Sequence, residues 1–493
     1  MTRAMNSFVD YVFDDESFSN ILIMLNIITI EIAKEKQCIH VIYKNDTWVI
    51  FFREPEVNDL SWLSYELTEN FKIGKYENIF KIKEFLKENT LSPQFESNTS
   101  NEVIELVNET IFYAYMHNAS DIHFENNSHS LVIKNRIDGV LIQYKILNNK
   151  TLAEQIISRL KVLADLDISE RRIPQDGRLA LHIQNQEIDL RISIMPGLHG
   201  EDAVLRILDK KSLIKDQTKL SLNVLGFDEA TSELIRSLSQ QPYGMVLVTG
   251  PTGSGKTTSL YALLQEQHNS QQKLITIEDP VEYQMVGALQ IPVNERKGLT
   301  FAKGLRSILR HDPDTILIGE IRDRETAEIA VQAALTGHLV YSSVHANHAL
   351  DVIGRFRHME IDLFGFLNSL NGIIAQRLIR LNCAKCSHKI QLNDEIIKIS
   401  GLTLDELKGY NLMQGQGCEY CQKTGFKGRT AIAEVLVMDD ELKESLLGGM
   451  VLSQIKQKLI RENMIFLRQQ ALAVVDQGLS TFQEINRVTF IER

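Results

Sequence analysis

The sequence has no excess of positive charge. Its 493 residues include 53 lysines and arginines but 64 aspartates and glutamates, which gives a formal net charge of −11. A surface that follows nucleic-acid phosphates would have to be a local patch within a repulsive overall field. The composition therefore argues against a nucleic-acid partner, and we expect none.

Long hydrophobic runs are missing as well. The most apolar segment, residues 21–30, contains Asn26 and is followed by Glu31. It is much shorter than the ~20 apolar residues that cross a bilayer. The N-terminus carries acidic side chains where a signal peptide has a basic stretch and then an apolar one. We therefore expect a cytoplasmic protein.

Cysteine is scarce, with five residues in the whole chain. Four of them form two pairs, Cys383-x-x-Cys386 and Cys418-x-x-Cys421, separated by 31 residues. Two such pairs match the ligands of one tetrahedral zinc ion, and four thiolates leave no open position, so we predict a structural site. Four unrelated thiols are the alternative, and a redox role is weaker because neither pair opens a βαβ unit. Cys38 stands alone and is expected to be buried.

The chain is long enough for about three domains at roughly 150 residues each. We find no chemistry in residues 1–98, which end at a polar stretch that we interpret as a linker. Apolar residues recur at helical spacing from Val103 to Tyr115. Short alternating runs follow, separated by the predicted turns Asp138-Gly139, Asp176-Gly177 and Pro196-Gly197. Residues 99–214 therefore read as a small α+β domain.

The remaining chain divides into three further parts. Residues 222–376 alternate strand-like runs, among them Met245 to Thr249, Leu274 to Ile277 and Thr315 to Ile318, with helical patterns. This alternation predicts an α/β nucleotide-binding core. Residues 377–430 carry the cysteine pairs, and residues 431–493 are charged and helix-rich.

A phosphate-binding loop follows the first of these strands. It has the required residue at every fixed position, and its residues are Gly250, Pro251, Thr252, Gly253, Ser254, Gly255, Lys256 and Thr257. The glycines let backbone N–H groups surround phosphate oxygens, Lys256 adds a charge at the β and γ phosphates, and the Thr257 hydroxyl ligates magnesium. We assign these eight residues and Thr258 to ATP and Mg²⁺ binding; a chance glycine-rich turn is the alternative.

Acidic residues follow two of the other strands. Glu320 comes just after Thr315 to Ile318, where a carboxylate would lie beside the nucleotide, and we predict that it activates the attacking water. A glutamate that begins a helix is the alternative. The run Glu278-Asp279-Pro280-Val281-Glu282 places three carboxylates at the same edge, which suits a magnesium–water shell. We assign Asp279 to cofactor binding and Glu282 to catalysis, against the alternative of a solvated acidic turn.

Histidine and arginine pairs give weaker signals. His338 and His345 flank another apolar strand, where an imidazole would be able to sense the γ-phosphate or bridge to a neighbouring subunit. A structural histidine is an equally good interpretation. Arg306 and Arg310 lie four residues apart in a helical pattern and would share one face. On spacing alone they are a solvated basic face.

Five motifs together resemble the secretion ATPase superfamily, specifically the type II secretion and type IV pilus assembly ATPases. The resemblance covers about residues 100 to 437 and rests on residues 119–125, 171–178, 277–282, 316–322 and 336–347. It implies an N-terminal adapter domain, a PAS-like α+β domain, a RecA-like P-loop core and a tetracysteine zinc insertion. It also implies a homohexamer, with ATP between the second domain and the core.

The resemblance assigns roles to individual residues. Arg191 and Arg206 would be the second-domain arginines that complete the site, and Arg306 and Arg310 would be further ones. His345 matches the second histidine of the family's His box, although His348 stands where the family usually has an aspartate. A zinc insertion is typical of assembly and secretion ATPases and is missing from pilus-retraction ATPases.

We therefore expect a hexameric motor ATPase that is peripheral on the inner face of a bacterial inner membrane. It would use ATP, Mg²⁺ and Zn²⁺ to drive pilus or pseudopilus assembly through an inner-membrane platform protein. Its N-terminal region would dock onto a membrane-anchored assembly protein. The rival hypotheses are a conjugation-type or DNA-translocating ring ATPase, and a scaffold that binds nucleotide without turnover.

Overall fold

The computed structural model describes residues 11–12, 22–23, 38–43, 46–51, 72–75, 101–183, 186–208, 220–267 and 271–491. The chain forms two compact units, Met1–Asp209 and Lys210–Arg493. Within the described residues, no helix has both the length and the apolar character needed to cross a membrane.

The first unit begins with a five-stranded sheet. Its strands are β1 (Tyr11–Val12), β2 (Leu22–Ile23), β3 (Cys38–Tyr43), β4 (Asp46–Phe51) and β5 (Lys72–Lys75), in the order β1-β5-β4-β3-β2. Cys38 is fully buried on β3, as predicted for an isolated cysteine. The predicted linker, residues 94–101, lies almost entirely outside the described residues.

The rest of the first unit is an antiparallel six-stranded sheet with two helices, which confirms the predicted α+β composition. In chain order its elements are α1 (Asn101–Met116), β6 (Asp121–Asn126), β7 (Leu131–Ile137), β8 (Val140–Leu147), α2 (Lys150–Leu163), β9 (Gln175–Ile183), β10 (Gln186–Gly197) and β11 (Gly200–Leu208). The strand order is β8-β7-β6-β11-β10-β9. Alternate strand residues such as Leu190 and Ile192 join α1 and α2 in one core. Because strand side chains alternate, the residues between them face away from that core.

Two of the predicted turns in this domain are wrong. Asp176 and Gly177 lie within β9 and pair with Ser193 and Ile192 of β10. Gly177 is required by close packing instead, because a Cβ there would lie 3.1 Å from the Cβ of Ala164. The Pro196-Gly197 pair belongs to the end of β10, and the hairpin turns at residues 198–199.

A seven-stranded sheet forms the centre of the second unit. Its strands are β12 (Gly244–Thr249), β13 (Leu274–Glu278), β14 (Ala288–Pro292), β15 (Thr315–Ile318), β16 (Leu339–Val344), β17 (Leu370–Asn382) and β20 (Phe426–Val437). They lie in the order β14-β13-β15-β16-β12-β17-β20, and only the β17–β20 pair is antiparallel. The fully buried residues of β12, β13, β15 and β16 explain why these strands are continuous apolar runs in the sequence.

Helices surround this sheet. They are α3 (Glu229–Ser239), α4 (Lys256–Gln267), α5 (Phe301–Ile308), α6 (Arg324–Leu335), α7 (Ala349–His358) and α8 (Leu363–Ser369). The three strands predicted from the sequence are confirmed, and the order places β16 between the strand that carries the phosphate loop and the strand that ends before Glu320. The RecA-like P-loop core predicted from the sequence is thereby confirmed.

The cysteine segment is inserted between β17 and β20. It contains β18 (Ser387–Lys389), α9 (Asp394–Ser400), β19 (Met413–Gly415) and a short 3₁₀ helix at Glu419–Cys421. The boundaries expected at residues 376 and 430 fall inside β17 and β20, respectively. Beyond β20 the chain is helical, with α10 (Asp440–Leu447), α11 (Leu452–Arg461), α12 (Leu467–Asp476) and α13 (Phe482–Val488).

Candidate active site

The phosphate loop lies between the end of β12 and the start of α4, as the sequence predicts. Gly250, Gly253 and Gly255 have positive φ angles of 148°, 79° and 84°. At Gly250 a Cβ would also lie 2.6 Å from the carbonyl oxygen of Gln376. The loop therefore needs glycine for its conformation and, at Gly250, for space. Its N–H groups and the N-terminus of α4 form a site suited to anions.

Lys256 is held over this loop. Its Nζ donates hydrogen bonds to the carbonyl oxygens of Gly250, at 2.9 Å, and Pro251, at 3.2 Å. Burial lowers the pKa of Lys256, while the charge of Glu320 opposes that shift. An ammonium group that is poorly solvated and bound only to carbonyls is well placed to exchange them for phosphate oxygens.

Glu320 and His345 lie at the ends of the adjacent strands β15 and β16. The Nε2 of His345 is 3.5 Å from Oε2 of Glu320, and Arg322 hydrogen-bonds to the other carboxylate oxygen. The alternative in which Glu320 begins a helix is wrong, because α6 begins at Arg324 and is capped by Asp323. Glu320 is thus a carboxylate that lies at the strand edge close enough to Lys256 to affect its pKa.

The three carboxylates at the end of β13 differ in burial. Glu278 is buried and accepts hydrogen bonds from Tyr261, from Thr276 at 2.5 Å and from Gln290 at 3.3 Å. Asp279 and Glu282 are exposed. The predicted magnesium–water shell would therefore draw on two exposed carboxylates instead of three. The alternative of a wholly solvated turn is wrong for Glu278.

Two of the weaker sequence signals have structural explanations. The Nδ1 of His338 is 2.9 Å from the carbonyl oxygen of Ala333 near the end of α6, so the interpretation of a structural histidine fits it. Arg306 forms an exposed ion pair with Glu325 at 2.6 Å. Arg310 lies beyond the last residue of α5 and donates to the carbonyl oxygen of Arg306 at 2.8 Å. The expectation of one helical face for both arginines is therefore wrong, since the helix ends before Arg310.

Arg191 and Arg206 are directly opposite each other on β10 and β11. Arg178 of β9 lies opposite Arg191, and Asp121 of β6 lies opposite Arg206. Arg206 donates to Asp121 at 2.9 Å, and Arg136 approaches the same carboxylate at 3.7 Å. Like charges directly opposite each other destabilise a sheet. A row of three arginines on the face away from the core is therefore an arrangement suited to an anion.

The four predicted cysteine ligands come together. All four sulfur atoms lie within 4.8 Å of one another, with Sγ–Sγ distances of 3.9 Å for Cys383–Cys418, 3.8 Å for Cys386–Cys421 and 3.7 Å for Cys418–Cys421. A tetrahedron of Zn–S bonds of about 2.3 Å has edges of about 3.8 Å. Backbone N–H groups of Gly417 and of other residues in the segment point at the sulfurs. The group is therefore able to hold a metal ion, and its geometry fits zinc.

Comparison with known proteins decides the family. Residues 96–487 match the family described as Type II/IV secretion system protein. The chain belongs to this family. It is 44% identical over 387 residues to the type II secretion system protein E of Dickeya dadantii, covering 78% of this chain and 76% of that protein. It is 40% identical over 423 residues to the type IV pilus assembly ATPase PilB of Thermus thermophilus, covering 85% of this chain and 47% of PilB.

Solved structures agree on the fold. The Legionella pneumophila ATPase DotB is similar with a TM-score of 0.56 at 22% identity, over 80% of this chain and 97% of that one. As a member of the type II/IV secretion family, the chain belongs among the secretion ATPases. That membership implies that the chain binds a nucleotide.

Sequence reasoning missed two residues of this secretion-family site. Gln376 and Arg377 of β17 are both buried beside the phosphate loop. The Nε2 of Gln376 donates to the carbonyl oxygen of Ser254 at 2.7 Å, and this hydrogen bond holds the loop against β17. The available signal was a polar pair that interrupts the apolar run of β17, from Ile373 to Ile379. Such a pair on a strand buried on both faces requires partners.

Proposed function

We propose that this chain is a motor ATPase that hydrolyses ATP to assemble a pilus or pseudopilus through an inner-membrane platform protein. One observation carries the proposal: the phosphate loop with Lys256, the carboxylate of Glu320 and the imidazole of His345 lie at one edge of the same parallel sheet. In open α/β sheets this edge is where ligands bind. The similarity to a type II secretion protein E and to PilB supports the biological role.

The phosphate loop, residues 250–257, together with Thr258, would bind the triphosphate of ATP. Lys256 would exchange its loop carbonyls for oxygens of the β and γ phosphates. The hydroxyl of Thr257 would hold Mg²⁺, with Asp279 and Glu282 as the exposed carboxylates available to its waters. The magnesium ion would neutralise charge on the phosphates when bound.

Glu320 would accept a proton from the attacking water. The water oxygen forms a bond to the γ-phosphorus, the bond to the bridging oxygen of ADP breaks, and phosphate leaves. His345 would orient the carboxylate of Glu320, from which it is 3.5 Å away. Arg191 and Arg206 would stabilise the developing charge, with Arg306 and Arg310 as further contributors.

The four cysteines would bind one structural Zn²⁺. Their sulfur–sulfur distances of 3.7–3.9 Å support this assignment, as does the closed set of four thiolates. The ion would fix the segment between β17 and β20. It would have no part in hydrolysis.

The working form would be a homohexamer on the cytoplasmic face of the inner membrane. Residues 1–98 would be the adapter that docks onto a membrane-anchored assembly protein. Nucleic acid is not expected as a partner at a net charge of −11, so the DNA-translocating alternative has little support.

The proposal is tested by measuring phosphate release from the purified full-length chain over a range of protein concentrations. We expect specific activity to rise with concentration as rings assemble, because the arginines must come from a completed assembly. If a preparation that is shown to be monomeric releases phosphate with a specific activity that does not depend on protein concentration, the requirement for a ring is contradicted. Assembled rings that bind ATP without releasing phosphate would favour the scaffold, and salt-sensitive stimulation by DNA would favour the translocating alternative.

A further inference from the structure

Arg377 is a buried cation at the base of the phosphate loop. Its side chain is only 6% exposed, and within the described part of the chain no carboxylate lies within 4.0 Å of its guanidinium. Burial lowers the pKa of Arg377, while the charges of Glu434 and Asp351 oppose that shift, and arginine keeps its charge in proteins. Burying a charge that has no carboxylate in direct contact is costly, so a function that needs the charge at this place is worth seeking.

The guanidinium connects three segments that are distant in the sequence. It donates hydrogen bonds to the carbonyl oxygens of Gln376 at 2.9 Å, Asn347 at 2.7 Å and Val488 at 3.2 Å. Asn347 is two residues beyond His345, and Val488 is the last residue of α13. One side chain therefore touches β17, the segment after β16 and the C-terminal helix.

The same side chain lies close to the phosphate loop. A Cβ on Gly250 would lie 3.2 Å from Nη1 of Arg377 and 2.6 Å from the carbonyl oxygen of Gln376. The charge of Arg377 also contributes, after burial, to the lowered pKa of Lys256. The loop thus contacts Gln376 and lies close to Arg377, and an anion in it would be attracted by Lys256 and Arg377.

Phosphate in the loop would change the hydrogen bonds of Lys256. Lys256 donates to two loop carbonyls, and it would release them to bind phosphate oxygens. The guanidinium of Arg377, which lies close to the same loop, is bound to the carbonyl oxygens of Asn347 and Val488. The adjoining Ala346 is also tied to β12, through hydrogen bonds with the Thr249 hydroxyl.

We propose that Arg377 is a positioning residue that links phosphate binding in the loop to two other segments, residues 345–349 and α13. Through the first segment it sets the place of His345 against Glu320. Through the second, nucleotide binding in the loop alters the C-terminal helical region. The proposal rests on nucleotide binding at the loop, as proposed above, and does not require hydrolysis.

Hydrogen exchange of the wild-type full chain, with and without Mg–ADP, tests this link first. We expect added protection at residues 250–257, 345–349 and 482–491, with no change in α11, which Arg377 does not touch. Protection of the loop without any change at 482–491 would overturn the proposal. A uniform gain that includes α11 would also overturn it, since it would indicate general stabilisation.

Two substitutions distinguish the effect of the charge of Arg377 from the effect of its hydrogen bonds to three carbonyl oxygens. Arg377→Lys keeps the charge but cannot bind three carbonyls in the same plane, so we expect ADP affinity within about threefold of wild type and loss of the added protection at 482–491. Arg377→Gln loses the charge, and we expect affinity to fall about tenfold or more. Two results would contradict these roles. One is that Arg377→Lys shows the same added protection at 482–491 with Mg–ADP as wild type. The other is that Arg377→Gln binds ADP as tightly as wild type.

Arg380→Lys is the matched control. Arg380 lies on the same strand and binds Glu484 of α13 at 2.7 Å, but no contact of its own reaches the loop. It should weaken the attachment of α13 while leaving the response to nucleotide intact. If the Arg377 variants do not fold, the wild-type exchange experiment alone decides. If ADP binds but phosphate is never released, the proposed function fails while this inference stands.

Discussion

His345 and Glu320 face each other at the ends of β16 and β15, with 3.5 Å between Nε2 and Oε2. Burial and the charge of Lys256 lower the pKa of His345, while Glu320 opposes that shift. Arg322 holds the same carboxylate from the other side. Glu320 is thereby oriented by two partners, an arrangement that suits its proposed role as the acceptor of a proton from water.

Zinc content is the first prediction. Cys421→Ser should lose the metal, while wild-type protein should contain about one zinc equivalent per chain by elemental analysis. Cys38→Ala is the control, because Cys38 is buried in a different sheet and should retain full metal content. A wild-type protein that is folded, active and free of metal would contradict the site.

The second prediction concerns His348, which immediately precedes α7. The carboxylate of the buried Glu434, 3.6 Å from Nδ1 of His348, raises the pKa of His348, and Asp351 acts in the same direction, while burial and Arg377 oppose it. A raised pKa means that the added stability is fully present below the unfolded value of about 6.5 and is lost as pH rises through the folded value.

The thermal midpoints of wild type and His348→Ala should therefore differ most below about pH 6.5, and the difference should shrink as pH rises through the folded pKa of His348. Taking the difference between the two midpoints at each pH removes the contribution of groups that titrate in the same way in both proteins. A difference that is constant, or that grows towards alkaline pH, would show that His348 does not act through its charge.

The arginine row gives the third prediction. Arg191→Ala or Arg206→Ala should lower phosphate release from assembled rings by about 10²–10³, the usual effect of removing a group that stabilises transition-state charge. ADP affinity should change little, because the charge develops during hydrolysis. Arg324→Ala is the control, since Arg324 pairs with Glu328 and Glu360 on the surface. An Arg206→Ala ring with normal turnover would remove Arg206 from the proposed mechanism.

Local sequence rules predicted much of this fold. The phosphate loop was recognisable because its glycines, its lysine and its flanking strand and helix occur together within a short stretch. The cysteine cluster was predictable from spacing, since each pair forms half of a tetrahedral site. Both features depend on residues that are close in the chain or follow a fixed pattern.

Features that depend on tertiary packing were harder to predict. Gly177 suggested a turn, but it is needed where β9 passes close to Ala164. Arg310 continued a helical pattern, yet α5 ends before it. Gln376 and Arg377 have no motif spacing, and they matter because β17 lies next to β12, a pairing that no local pattern reveals.

Hydrolysis by Glu320 is the central claim, and the most direct measurement compares assembled rings of wild type and Glu320→Gln. Phosphate release and nucleotide affinity are measured on the same preparations. We predict that the substitution lowers turnover by about 10²–10⁴ and leaves ATP affinity nearly unchanged, because the amide keeps the shape of the side chain but cannot accept the proton. Turnover within about threefold of wild type at equal affinity would contradict the account.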